Sequence, residues 1–208
     1  MSHYLLMGLI LGLSAGLSPG PLLALVISET LSRGLKAGIW VGFAPLVSDL
    51  PIFALALLGL SQVSDFNWVL GLISLLGGAV ILKMGVSGLG AQATVLDTKN
   101  HGGTSFYKGV MVNLLSPHPY LFWISVGGPA ATRAWELTPL AGVGFVATFY
   151  AMLVGSKVGL ALMVARSRSF LMGKMYVFTM RFLGLMLCIL SFVLIWEGLG
   201  FFGLKFDL

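Results

Sequence analysis

Long apolar runs separated by short polar punctuation dominate this chain. A helix that crosses ~30 Å of hydrocarbon needs roughly 20 mostly apolar residues. Six stretches meet that need: about Tyr4–Ser28, Lys36–Leu60, Phe66–Leu89, Phe106–Gly128, Leu137–Ala165 and Tyr176–Phe202. The first holds no Asp, Glu, Lys or Arg before Glu29, whereas Pro45, Asp49 and Pro51 interrupt the second. Pro117 and Pro119 interrupt the fourth, which would be either a full span or a re-entrant segment, and Lys157 lies inside the fifth. The pattern predicts an all-α integral membrane protein made of one transmembrane domain. Three spans (about 4–89) precede a polar loop (about 90–105), and three more follow (about 106–203).

Composition agrees. Of 208 residues 58% are hydrophobic and 9% charged, against roughly 25% charged in soluble domains, and mean hydropathy is +1.00. This excludes a cytosolic enzyme, a DNA-binding domain and a disordered chain. The single cysteine, Cys188, leaves no intramolecular disulfide framework and no Cys-x-x-Cys metal site. A cleavable signal peptide is not expected, because no Lys or Arg precedes Arg33. The net charge of +5 would suit nucleic acid, but nine of the twelve basic residues fall on one side of the predicted topology. These are Arg33, Lys36, Lys83, Lys99, Lys108, Arg166, Arg168, Lys174 and Arg181, with only Arg133 and Lys205 opposite. Lys and Arg collect in cytoplasmic loops, so both termini are expected outside the cytoplasm and no nucleic acid is expected as a partner. The cluster from Arg166 to Lys174 would also suit anionic lipid.

Self-comparison finds Leu17-Ser18-Pro19-Gly20-Pro21-Leu22-Leu23 repeated as Leu115-Ser116-Pro117-His118-Pro119-Tyr120-Leu121, at an offset of 98. A weaker echo pairs Ser48-Asp49-Leu50 with Ser156-Lys157-Val158, at an offset of 108. Three spans per half is an odd number, so the halves should point in opposite directions as a 3+3 inverted repeat. Two prolines one residue apart should break a helix, because each removes a donor and clashes with the preceding turn. In hydrocarbon the freed carbonyls must find protein, water or ligand. Pro19, Gly20 and Pro21, with Pro117 and Pro119, thus predict discontinuous first and fourth helices that meet at a polar cavity near the midplane. Half-helix N-termini there would suit a carboxylate. A kink that only improves packing is the plainer alternative. Gly8, Gly12, Gly16 and Gly20, then Gly34, Gly38 and Gly42, and Gly155 with Gly159 read mainly as close-packing faces.

Asp49 and Lys157 are the deepest ionisable residues, and intramembrane charge costs on the order of 3 kcal/mol. Their opposite signs at repeat-related positions suggest an ion pair or two poles of one site. A zwitterion could bridge them, with its amine toward Asp49 and its carboxylate toward Lys157. Asp49 could instead carry protons, and Lys157 could snorkel to an interface. His118, between two prolines, would couple protons, contact substrate or simply satisfy the break. Asn113 and Ser116 are candidate partners for freed backbone groups or for substrate. Tyr120, Phe122, Trp123 and Tyr150 would line a pocket or anchor packing.

These residues carry a family resemblance. Ser18-Pro19-Gly20-Pro21, the glycines Gly34, Gly38 and Gly42 leading to Asp49, Lys108-Gly109, Asn113-Leu114-Leu115-Ser116-Pro117 and Phe122-Trp123 resemble the LysE/RhtB family of amino-acid exporters over nearly the whole chain. The resemblance implies export of amino acids or related small metabolites across the inner membrane, driven by protons, with no cofactor. Many relatives have Asn-x-x-Asn-Pro-Lys where this chain has Ser116 for the second Asn and His118 for the Lys, which points to a subgroup with its own substrate. The superfamily also contains metal-ion exporters and thiol carriers. The lone Cys188 excludes the thiol role, and Asp49 with His118 offers few metal ligands. A membrane enzyme lacks a nucleophile–base set, and a non-transporting structural subunit has no use for broken helices and a mid-span Asp/Lys pair. The expected partners are a small zwitterion, protons and lipid; a homodimer is left open. No phosphate-binding Gly-Lys-Ser/Thr loop is present, so an ion gradient or a partner must supply the energy.

Overall fold

Proline and glycine set the breakpoints of the chain, and apolar composition fills the helices between them. A computed structural model describes residues 1–57, 66–90, 102–167 and 174–203. Its helices are α1 (Ser2–Leu17), α2 (Pro21–Arg33), α3 (Leu35–Phe43), α4 (Pro45–Leu57), α5 (Phe66–Leu89), α6 (Gly102–Leu114), α7 (Pro117–Phe122), α8 (Gly128–Leu137), α9 (Pro139–Arg166) and α10 (Lys174–Phe201). A π-helical turn, Trp123–Gly127, joins α7 to α8. No strand occurs among the described residues. The end of the expected second span at 58–60, most of the polar loop, and Lys99, Arg168 and Lys205 lie outside them.

A residue before proline is pushed out of the helical region. Ser18 accordingly sits at φ −56°, ψ 126°, and Ser116 at φ −102°, ψ 133°. Each serine ends the helix before it, and the next half-helix starts with proline in its first turn, where a missing N–H costs nothing. The expected break of the first helix is therefore present as a 64° bend between α1 and α2. The fourth is broken likewise between α6 and α7. Pro129 explains the π-turn: it has no N–H for the carbonyl of Ser125 and its ring crowds that carbonyl, so the ladder widens there to the next bonding pattern.

Several boundaries differ from expectation. The first span continues to Arg33 and places Glu29 inside a helix, where it is buried. The hydroxyl and acidic residues there do not stop the helix; Gly34 does, at φ 96°, a conformation open mainly to glycine. Gly34 is thus the turn between spans, not part of a packing face. Pro45 does not break the second span, since it opens α4 directly after Ala44 and Leu35–Ala54 runs as one apolar stretch. Leu35–Ala54, Asn67–Leu89, Pro139–Arg166 and Val177–Phe201 are long and apolar enough to cross a membrane, and the bent α1–α2 pair makes a fifth. The expected fourth span is divided between α6 and the shorter helices after it, so neither part qualifies alone. Thr138 starts α9, accepting from the Ala141 amide at 3.1 Å, with Pro139 in the first turn.

Glycine contacts give the helix directions. Gly8, Gly12 and Gly16 of α1 meet Phe145, Phe149 and Leu153 of α9 in the same order, so these helices are parallel. Trp40 stacks edge-on to Phe106, Val41 and Ala44 meet Gly109, and Asp49 meets Asn113, so α3–α4 runs parallel to α6. In α5 and α10, Gly71 faces Phe202, Gly78 faces Ile195 and Gly88 faces Gly184, an antiparallel pair. Gly155 and Gly159 depart from the expected packing face, because no described residue lies within 4 Å of where their Cβ would be.

Gly12 and Gly155 make a matched test. A Cβ at Gly12 would stand 2.2 Å from the Phe149 carbonyl oxygen, and overpacking of this kind costs about 1–3 kcal/mol or more. Gly12→Ala should lower Tm in detergent by several degrees, whereas Gly155→Ala should leave it unchanged or raise it, since alanine is the better helix former by ~0.5–1 kcal/mol.

Candidate functional site: a cavity between two broken helices

Both breaks face a single cavity of about 430 Å³. Nine of the ten sequence-predicted site residues line it: Pro19, Gly20, Pro21, Asp49, Asn113, Ser116, His118, Pro119 and Lys157. Pro117 is buried at the start of α7 and does not reach the lumen. Ser14, Ser18, Phe122, Trp123 and Phe149 contribute to the wall, and Leu190, Val193 and Leu194 of α10 close one flank.

Each break strands a backbone carbonyl. In a continuous helix the Gly16 carbonyl would accept from the Gly20 amide, and the Leu114 carbonyl from His118. Neither bond forms, and lipid cannot replace it. Lys157 Nζ donates to the Gly16 oxygen at 2.9 Å. Tyr120 OH donates to the Leu114 oxygen at 3.0 Å. Asn113 and Ser116, expected partners for freed backbone groups, are engaged elsewhere. Asn113 Nδ2 donates to Ser48 Oγ at 2.8 Å and to Asp49 Oδ1 at 2.6 Å. Ser116 Oγ lies 3.2 Å from His118 Nδ1.

Asp49 is 4% exposed and Lys157 3%. Lys157 therefore does not snorkel; its stem is folded inward toward the break of α1. The two charges form no ion pair among the described residues, each being engaged separately, so of the two expected arrangements the separated poles of one cavity are found. Besides the short bond from Asn113, Asp49 Oδ2 receives two long contacts, from Trp123 Nε1 at 3.5 Å and Tyr150 OH at 3.4 Å. Trp123 opens the π-turn and packs edge-on against Phe53 and Phe149. Asp49 is thus held by one strong donor and approached by two weaker ones, an arrangement that leaves its charge available to a cation. Neither α2 nor α7 has a side-chain cap on its first turn, so the amides of Leu22 and Leu23 after the Gly20 N-cap stand at the cavity edge. Among the described residues no group of three His, Cys, Asp or Glu converges to hold a metal ion.

Sequence reading missed a second polar cluster. Glu29 Oε2 accepts from Ser105 Oγ at 2.6 Å, and Glu29 Oε1 accepts from Lys108 Nζ at 2.7 Å, with Arg33 Nε 3.5 Å from Oε2. The available signal was a glutamate at a span end flanked by helix-compatible residues, with Arg33 one turn later on the same face.

The carbonyl cap is testable by removing one oxygen. Tyr120→Phe leaves the Leu114 carbonyl without its donor, and an unmet buried group costs about 1–3 kcal/mol. Thermal unfolding in detergent should show a matching fall in Tm, with helicity by circular dichroism preserved.

No curated protein and no solved structure matches the chain. Residues 13–198 match the LysE type translocator family, a family of membrane transporters of small molecules rather than enzymes. The match takes in both breaks, the cavity and all but the ends of the bundle. The chain belongs to the LysE type translocator family.

Proposed function

We propose that this translocator is a proton-coupled secondary exporter of amino acids or related small zwitterions, working in the inner membrane as a 3+3 inverted repeat. The observation that carries the reading is the convergence of two broken helices, one carboxylate and one ammonium on the same cavity. The bound zwitterion places its ammonium at Asp49. Its carboxylate takes over the Lys157 ammonium from the Gly16 carbonyl, beside the uncapped amides of α2. Each pole of the substrate then meets an opposite charge of the site, so binding leaves no charge unmet. Protonation of Asp49 would discharge the ammonium, and a proton crossing 100 mV supplies about 2.3 kcal/mol for outward transport.

Crosswise reciprocity supports the repeat. Asp49, from the second span, engages Asn113 beside the break of the fourth, while Lys157, from the fifth, engages Gly16 beside the break of the first. A two-fold axis that exchanges the halves exchanges these two relations. It also exchanges the parallel α1–α9 contact with the parallel α3–α4/α6 contact and maps the antiparallel α5–α10 pair onto itself. Gly16 and Leu114, two of the stranded carbonyls, are separated by the same offset of 98 as the proline motifs. The basic residues Arg33, Lys36, Lys108 and Arg166 support placing that end in the cytoplasm with both termini outside.

Reconstitution in liposomes with an imposed pH gradient, with labelled amino acids screened for counterflow, tests the reading. Asp49→Asn should abolish gradient-driven accumulation, and unaltered accumulation would remove Asp49 as the proton carrier. Pro19→Ala and Pro117→Ala should each slow turnover by about tenfold or more while Tm changes little, because a refilled helix loses the site rather than the fold. Gly103→Cys, exposed near the start of α6, should react with an impermeant maleimide only from the cytoplasm.

A further inference from the structure

The cavity lies between two seams of different chemistry. Toward the basic end, α2 runs away from the cavity and α6 runs toward it, side by side. Glu29 is eight residues beyond Pro21, about 12 Å along the helix axis. Its partners Ser105 and Lys108 precede the cavity-lining Asn113 in α6. The Glu29 cluster therefore closes the path from the cavity to the end that carries Arg33, Lys36 and Arg166. The counterpart seam at the other end, between the first half of span one and the second half of span four, is apolar. There Ala130, Ala131 and Ala134 of α8 and Tyr4, Met7 and Leu11 of α1 meet in one apolar cluster on Ala141 and Phe145 of α9.

An ideal inverted repeat would make its two open states equal in energy, so whatever differs between the seams decides which state prevails. The Glu29 carboxylate is 5% exposed, but its cations are partly exposed, with side-chain exposures of 34% for Lys108 and 27% for Arg33. Parting this seam frees charged groups of which two are already partly exposed. Parting the alanine seam would expose apolar surface instead. A buried ion cluster also costs nearly as much in desolvation as it returns in attraction, and Arg33 Nη1 is buried with no hydrogen-bond partner among the described residues. The seam is thus specific in register without being hard to open.

We propose that Glu29, with Ser105, Lys108 and Arg33, is an ionic latch that closes the basic end of the transport path and sets the balance between the two open states. The latch rests on the alternating-access reading above, but its test needs no substrate. In a Cys188→Ser background, Leu22→Cys places one thiol on the cavity wall, and the rate of its reaction with an impermeant maleimide is read from each face of the membrane. Glu29→Gln and Lys108→Gln should each raise the rate from the basic-loop face by about tenfold, the population shift expected when one buried pair is broken, and lower it from the opposite face. Unchanged rates would overturn the latch. A rise from both faces, the mark of a loosened bundle, would overturn it as well. If one-sided opening occurs in a protein that moves no solute in the liposome assay, the latch stands and the exporter reading fails.

Discussion

Backbone carbonyls left without helical partners, those of Gly16 and Leu114 foremost, govern this structure. A broken helix in hydrocarbon must satisfy its backbone from within the protein, and the chain does so with Lys157 at Gly16 and Tyr120 at Leu114. One cap is a tyrosine of the same broken helix; the other is an ammonium delivered by a different span. The first is a fixed structural bond. The second spends a charged group on a neutral acceptor and so keeps Lys157 exchangeable. Placement of Asp49 across the same cavity gives the opposite pole, and its short bond to Asn113 ties it to the second break.

Tight helix packing makes the cavity possible. Gly8, Gly12 and Gly16 let α1 press its backbone against α9, which brings Lys157 within reach of the Gly16 oxygen. Gly109 does the same for α6 against α3, and the Asn113–Asp49 bond follows from that register. Trp123, at the start of the π-turn, also approaches the carboxylate. Site and packing are coupled: a side chain at Gly16 would meet Ser156 Oγ and displace the helix that carries Lys157.

The two ends of the bundle show how a symmetric plan acquires direction. In the proposed repeat equivalent half-helices lie at each end, yet one cluster is ionic and the other apolar. Water solvates the parts of the first when they separate and not those of the second, so the ends are unlike in the free energy needed to part them. The latch and the central site are spatially distinct, about two turns apart along α2.

Much of this was legible in the residue order. Ser-Pro-x-Pro read as a helix break because the steric rules for proline and its predecessor are local, and both breaks occur where the motif lies. Asp49 and Lys157 stood out because a charge in a long apolar run has few neutral explanations. The serine, glutamate and arginine at the end of span one carried no such mark, since polar residues at a span end look like loop; only the Gly34 turn, folding α3 back beside α2, buries Glu29 against α6. Likewise no local rule distinguishes Gly155, whose Cβ would meet no described residue, from Gly12, whose Cβ would meet a backbone. Sequence by itself determined where the paired prolines break the helices and that Asp49 and Lys157 lie within apolar spans, because those depend on covalent geometry and solvation. Which donor reaches which stranded carbonyl, and that Asp49 and Lys157 stand apart as separate poles, was decided only by tertiary structure, because those bonds depend on how closely distant helices approach.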